Sequence, residues 1–212
     1  MVYSANRFLN RAEMTVNAQY ILNYFLGKGW TKEAICGMLG NQETESTINP
    51  GIWQSLNEGN LSGGFGLVQW TPATKYTDWA DARSLVWEEM DSNLKRIEYE
   101  LLNSLQWITT SEYPLTFQQF SESILSPTFL ANTFLNNYER PAESVQPARG
   151  EQAEAWYTAL TGEVTPPSDE PFPSEGPLPR YAIYQPWQYR LNLMFKNPAK
   201  LKKARFTIWT GK

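Results

Sequence analysis

The chain has 212 residues, 42% of them hydrophobic and 14% aromatic, with a formal net charge of −4, which allows one medium domain with a real core plus an appendage. It contains no histidine and a single cysteine, Cys36, so a Ser-His-Asp triad, a Cys-His pair, a His-ligated zinc site and a disulfide framework are all excluded. Chemistry is left to carboxylates, Lys, Tyr, Ser and Thr, and neither a cofactor nor a metal is expected.

The first helical pattern covers residues 13–26, where Met14, Ala18, Ile21, Leu22, Phe25 and Leu26 recur at helical spacing and glycines at 27 and 29 close it. Thr31 is a suitable N-cap for a second helix, with Glu33 in its first turn, running through Ala34, Ile35, Met38 and Leu39 to about Glu45. Asn49-Pro50-Gly51 forces a turn. Residues 52–70, rich in Gly, Asn and Ser, read as loop or a short hairpin. Further helices are predicted over 74–82, 90–105, 116–122, 127–137 and 150–160, which makes residues 1–162 a mainly α domain. Cys36, on an apolar helical stretch, is expected to be a buried inert thiol. The nine tryptophans are expected to divide roughly two to one between core packing and carbohydrate contact.

Charge divides the chain. Residues 1–162 carry a net −8, residues 163–179 four acids and no base, and residues 180–212 eight bases and no acid. The middle stretch, EVTPPSDEPFPSEGPLP, reads as a Pro-rich acidic linker. Residues 180–212 mix bases with aromatics in short alternating runs, YRLNLMF and RFTIW, and read as a basic, possibly β, C-terminal extension. Such a piece is too small for a core of its own and is expected to dock on a partner or bind wall polymers. Nucleic acid is not the expected ligand. No run approaches the roughly 20 apolar residues of a membrane span, and MVYSANRFLNRAEM lacks the apolar stretch of a signal peptide. Synthesis in a cytoplasm without an export signal is expected.

Glu45 carries the chemical argument. It falls seven residues after Met38, on the stripe of Ile35, Leu39 and Gln42, and at a helix C-terminus. Desolvation and the partial negative charge of the helix end both disfavour a carboxylate there, which suits a glycosidase acid that must still hold its proton. Glu43 is expected to point elsewhere. Retaining and inverting glycosidases differ in where a second carboxylate lies. Glu139, Asp91 and Glu58 are the candidates, with Asp78 and Asp81 behind them, and no motif selects one.

The context of Glu45 resembles a known family. A helix ending in Glu-Ser, followed by a Gly-Leu-x-Gln segment, is similar to the lysozyme superfamily. The strings ICGMLGNQETESTINPGIWQ (35–54) and GFGLVQWTP (64–72), with NAQYILNY (17–24) and YERP (138–141), resemble the phage tail lysozymes, in particular the tail-knob wall-degrading proteins of small podophages of Gram-positive hosts. The resemblance spans roughly residues 1–160. It implies a lysozyme-like helical fold and cleavage of the peptidoglycan glycan strand, with Glu45 as the acid. It implies that Gln69, Trp70, Gly66, Ser46 and Tyr138 bind substrate: Gln69 by bonding an N-acetyl group or positioning water, Trp70 by stacking on a sugar, and Gly66, with Gly64, by letting the backbone approach it. Whether the product is hydrated or anhydro stays open. Such relatives continue into a metallopeptidase domain; the linker and basic tail stand here instead, so peptide cleavage is not carried over. The implied setting is a virion tail tip acting on the host wall during DNA delivery, with residues 180–212 contacting tail-tip proteins. An endolysin, or a non-catalytic tail-tip or wall-binding protein, is the alternative.

Overall fold

The computed structural model describes residues 2–161. Residue 162, the linker at 163–179 and the extension at 180–212 lie outside the described residues. The described residues form seven α-helices: α1 (Arg11–Leu26), α2 (Lys32–Ser46), α3 (Thr74–Asp81), α4 (Met90–Leu102), α5 (Phe117–Ser121), α6 (Pro127–Phe134) and α7 (Pro147–Ala159). A π-helical turn, Leu135–Glu139, extends α6. The described residues form no strand, only isolated bridges pairing Phe65 with Trp53 and with Trp70. None of these helices is long and apolar enough to cross a membrane.

Local signals set the helix ends. α1 begins earlier than its apolar spacing predicts because Asn10 and Glu13 form a capping box, each side chain taking the other's backbone N–H, an arrangement worth about 1 kcal/mol. Thr31 caps α2 through the Ala34 N–H as expected, and Ser126 caps α6 ahead of Pro127. α7 also starts three residues before the predicted glycine, with Pro147 in its first turn, where a missing N–H costs nothing.

Helix α2 is the axis of the fold. Every residue from 34 to 42 is buried, because α1, α5, α6 and α7 all pack on it. Two glycines permit this. A Cβ at Gly37 would lie 2.8 Å from Leu130 Cβ, and one at Gly40 would lie 2.9 Å from the Ala153 backbone nitrogen and would run into the Arg149 carbonyl. α6 and α7 therefore sit on α2 closer than any side chain allows. Seven of the nine tryptophans fall among the described residues. All seven belong to the core or pack against it, so the expected share for carbohydrate contact is reduced to those that also border the cleft. Cys36 is buried, and burial pushes its thiol up to about 12, an inert group as expected.

Candidate active site

The end of α2 is fixed by strained backbone and three polar side chains. Thr47 caps the helix in the left-handed region (φ 54°), and Ile48 follows at φ 53°, a costly conformation for a β-branched residue that its surroundings must enforce. Ser46 Oγ donates to the Leu67 carbonyl at 2.8 Å, tying the helix end to the glycine-rich loop. Asn49 donates to the carbonyls of Ala5 and Arg7 at 2.6 and 2.7 Å, and Asn17 donates to that of Ile48. Glu45 is thus set on a rigid corner.

The loop 64–70 faces that corner. Leu67 N–H donates to Asn93 Oδ1 at 3.0 Å, while Asn93 Nδ2 donates to the Trp87 and Glu89 carbonyls and the Tyr76 hydroxyl. Gly66 has φ +79°, and a Cβ there would stand 2.5 Å from Asn93 Oδ1. A Cβ at Gly64 would stand 2.9 Å from Gln69 Oε1. Both glycines make room for protein atoms, which accounts for them without any approach of backbone to sugar.

A pocket of about 640 Å³ opens between the corner and the loop, within the usual range for small-molecule sites. Of the residues singled out from sequence, Glu45, Gln69, Trp70, Tyr138 and Glu139 line it; Gly66, Ser46, Asp91 and Glu58 do not. Asp91 accepts a hydrogen bond from Tyr20, and Glu58 is exposed in the loop after the turn. Gln69 Nε2 donates to the carbonyls of Gly66 and Ile52, so its Oε1 is the atom left to face a ligand. Trp70 is only 3% exposed. Its ring stacks on Tyr76 at 4.6 Å and its Nε1 donates to Glu100, so its faces are taken by protein and stacking on a pyranose is not available to it.

Three features of the pocket had no signal in the sequence. The first is Arg149. From α7 it donates to Glu45 Oε1 at 2.6 Å, the Glu45 side chain being 23% exposed and that of Arg149 4%. Its other nitrogens bond Asn41 Oδ1 and Gln146 Oε1. Among the described residues Glu139 has no ion pair, and Arg140 donates to the carbonyls of Gln106 and Asn137. The Arg149 guanidinium gives Glu45 a charged partner that the argument from periodicity did not include. Glu43, expected to point elsewhere, is absent from the pocket lining and pairs with Arg11.

The second is Glu100, buried beneath the pocket floor. It accepts hydrogen bonds from Trp70 Nε1 at 3.0 Å, from Arg96 at 2.9 Å and from the Tyr138 hydroxyl. Burial raises its carboxyl above the usual range, against the pull of Tyr138, Arg96 and Trp70. The Tyr138 hydroxyl, also pushed well up by burial and by Glu100, is committed to this network, and its ring stacks on Phe134 at 4.5 Å. Tyr138 therefore forms part of the wall. The third is Phe8, 63% exposed at the pocket rim, an apolar face left open to solvent.

Comparison with known proteins adds two findings. Residues 16–160 match the family described as phage tail lysozyme. Over 162 residues the chain is 62% identical to Morphogenesis protein 1 of Bacillus phage B103, an alignment that covers 76% of this chain and 44% of that protein. The chain thus spans less than half the length of this relative.

Proposed function

The chain belongs to the phage tail lysozyme family, and we propose that it cleaves the glycan strand of peptidoglycan with Glu45 as the proton donor. One observation carries this reading: an acidic side chain, fixed at a rigid helix end, opens onto a pocket beside Gln69 and Tyr138. Glu45 protonates the glycosidic oxygen as its bond to the sugar C1 breaks. Gln69 Oε1 accepts the N–H of an acetamido group. Phe8, the exposed ring at the rim, offers the sugar-stacking surface that Trp70 does not. Capture of the sugar cation by water gives a hydrolase, and capture by the sugar's own 6-hydroxyl gives a lytic transglycosylase.

The protein acts in this reading from the virion tail tip, opening the host wall locally as DNA is delivered. The relative named for phage morphogenesis supports a virion-associated setting. Residues 180–212, joined through 163–179, contact tail-tip proteins. Clearing of purified susceptible walls by the full chain, lost in Glu45→Gln, tests the chemistry. Mass spectrometry of the released fragments reports hydrated or anhydro ends. Recovery of the protein in purified virions supports tail delivery, and its absence there with intact wall clearing favours the endolysin.

A further inference from the structure

Glu139 is the acidic group of the pocket that this reading leaves without a task. It closes the π-helical turn after α6 and lines the same pocket as Glu45. Its Oε1 is shut off from solvent and meets no hydrogen-bond partner among the described residues. An anion in that setting carries a desolvation cost that a neutral carboxyl largely avoids.

The charged groups that face Glu139 are Glu45 from α2, Glu100 from α4, Arg149 from α7 and its own neighbour Arg140. Both cations are committed elsewhere: Arg149 to Glu45, Asn41 and Gln146, Arg140 to backbone carbonyls. Two carboxylates thus line one pocket, one of them bound to a guanidinium, and a pair of acids so placed can share a single proton.

We propose that Glu139 is the proton store of the pocket, holding in the free enzyme the proton that Glu45 delivers to the substrate. The inference rests on reading Glu45 as the acid. Arg149 holds Glu45 in place by its hydrogen bond while the pocket is open to water. As a glycan fills the pocket, the proton passes from the Glu139 carboxyl to Glu45. Glu45 hands it to the glycosidic oxygen, whose bond to C1 breaks with its electron pair remaining on that oxygen. The oxygen of water or of the 6-hydroxyl bonds to C1 and releases one proton, which returns to the Glu45–Glu139 pair. One proton leaves and one comes back, and no further reactant is needed. Glu139 acts through Glu45 and is in that sense a positioning residue. Burial first, and then the charge of Glu45, push its carboxyl well above the usual range, and Arg149 and Arg140 do not offset them.

Infrared spectra of the full chain at neutral pH test this without turnover. The carbonyl stretch of a buried protonated carboxyl should be present in the wild type and lose intensity in Glu139→Gln. Wall clearing by the same variant should fall about tenfold or more at neutral pH, with its alkaline limb moved to lower pH and the thermal midpoint not lowered. A merely structural Glu139 would leave that limb in place. An unchanged band, or an unchanged limb and rate, overturns the proton store alone. Retained clearing in Glu45→Gln overturns both the acid assignment and the proton's destination.

Discussion

Arg149 and Glu45 meet at 2.6 Å across the seam between α7 and α2, a contact that joins residues 104 positions apart and places a buried cation on the side chain that faces the pocket. It sets the terms for both the chemistry and the stability of the domain.

Replacing Glu45 by Gln removes the transferable proton and the negative charge together. Clearing of wall suspensions should fall by orders of magnitude while the circular dichroism spectrum is retained. The side chain of Arg149 is 4% exposed, so its charge loses compensation, and unfolding by denaturant should show a loss of about 1–3 kcal/mol, limited by the amide oxygen that still accepts its hydrogen bond. Wild-type clearing would remove Glu45 from the mechanism.

Gln69→Ala deletes the one side-chain oxygen of the loop that is left to face a ligand, and two donors to the carbonyls of Gly66 and Ile52. A lost neutral hydrogen bond corresponds to about 0.5–1.5 kcal/mol, so kcat/KM should drop about two- to tenfold, less than for Glu45→Gln, with weaker binding of soluble glycan fragments. Equal affinity and equal rate in the variant would rule out contact with the sugar.

Gly40→Ala tests the packing that brings α7 to the site. A methyl there meets the backbone of Arg149 and Ala153, atoms that cannot rotate away. Overpacking of this kind costs about 1–3 kcal/mol, and the shift of α7 should pull Arg149 off Glu45. Both the thermal midpoint and wall clearing should fall. A variant with a wild-type midpoint would show that α7 has slack.

Glu139→Gln should change stability in a pH-dependent way. Folding raises the Glu139 carboxyl above its unfolded value, so the native state binds more protons than the unfolded state in the window from the ordinary glutamate range upward. Wild-type stability is therefore lost as pH rises through that window. Glutamine does not titrate. Thermal midpoints of the variant should match or trail the wild type in acid and overtake it toward neutral and alkaline pH. Parallel curves would mean that Glu139 titrates as it does in the unfolded chain.

Much of this architecture was legible because it is local. Thr31 caps α2, Gly27 ends α1 and Asn49-Pro50-Gly51 turns the chain, since each acts on its own neighbours. The inward stripe invoked for Glu45 was a weaker guide. α2 is buried on all sides from residue 34 to residue 42, so periodicity does not distinguish its faces there, and the position of Glu45 at the helix end is what brings it to the pocket. The ion pair with Arg149 and the Glu100 network join distant stretches of chain, and no local pattern announces them. Trp70 shows the reverse error: its residue type suggests a sugar platform, yet Tyr76 and Glu100 already occupy it.

The seating of α7 on Gly40 also orders events in time. A chain emerging from the ribosome has Glu45 and the glycine-rich loop available long before Arg149, and the last helix must dock before the guanidinium reaches its carboxylate. The cleft is therefore completed at the close of domain synthesis, and a nascent chain halted before residue 147 carries the acid without the cation that governs it.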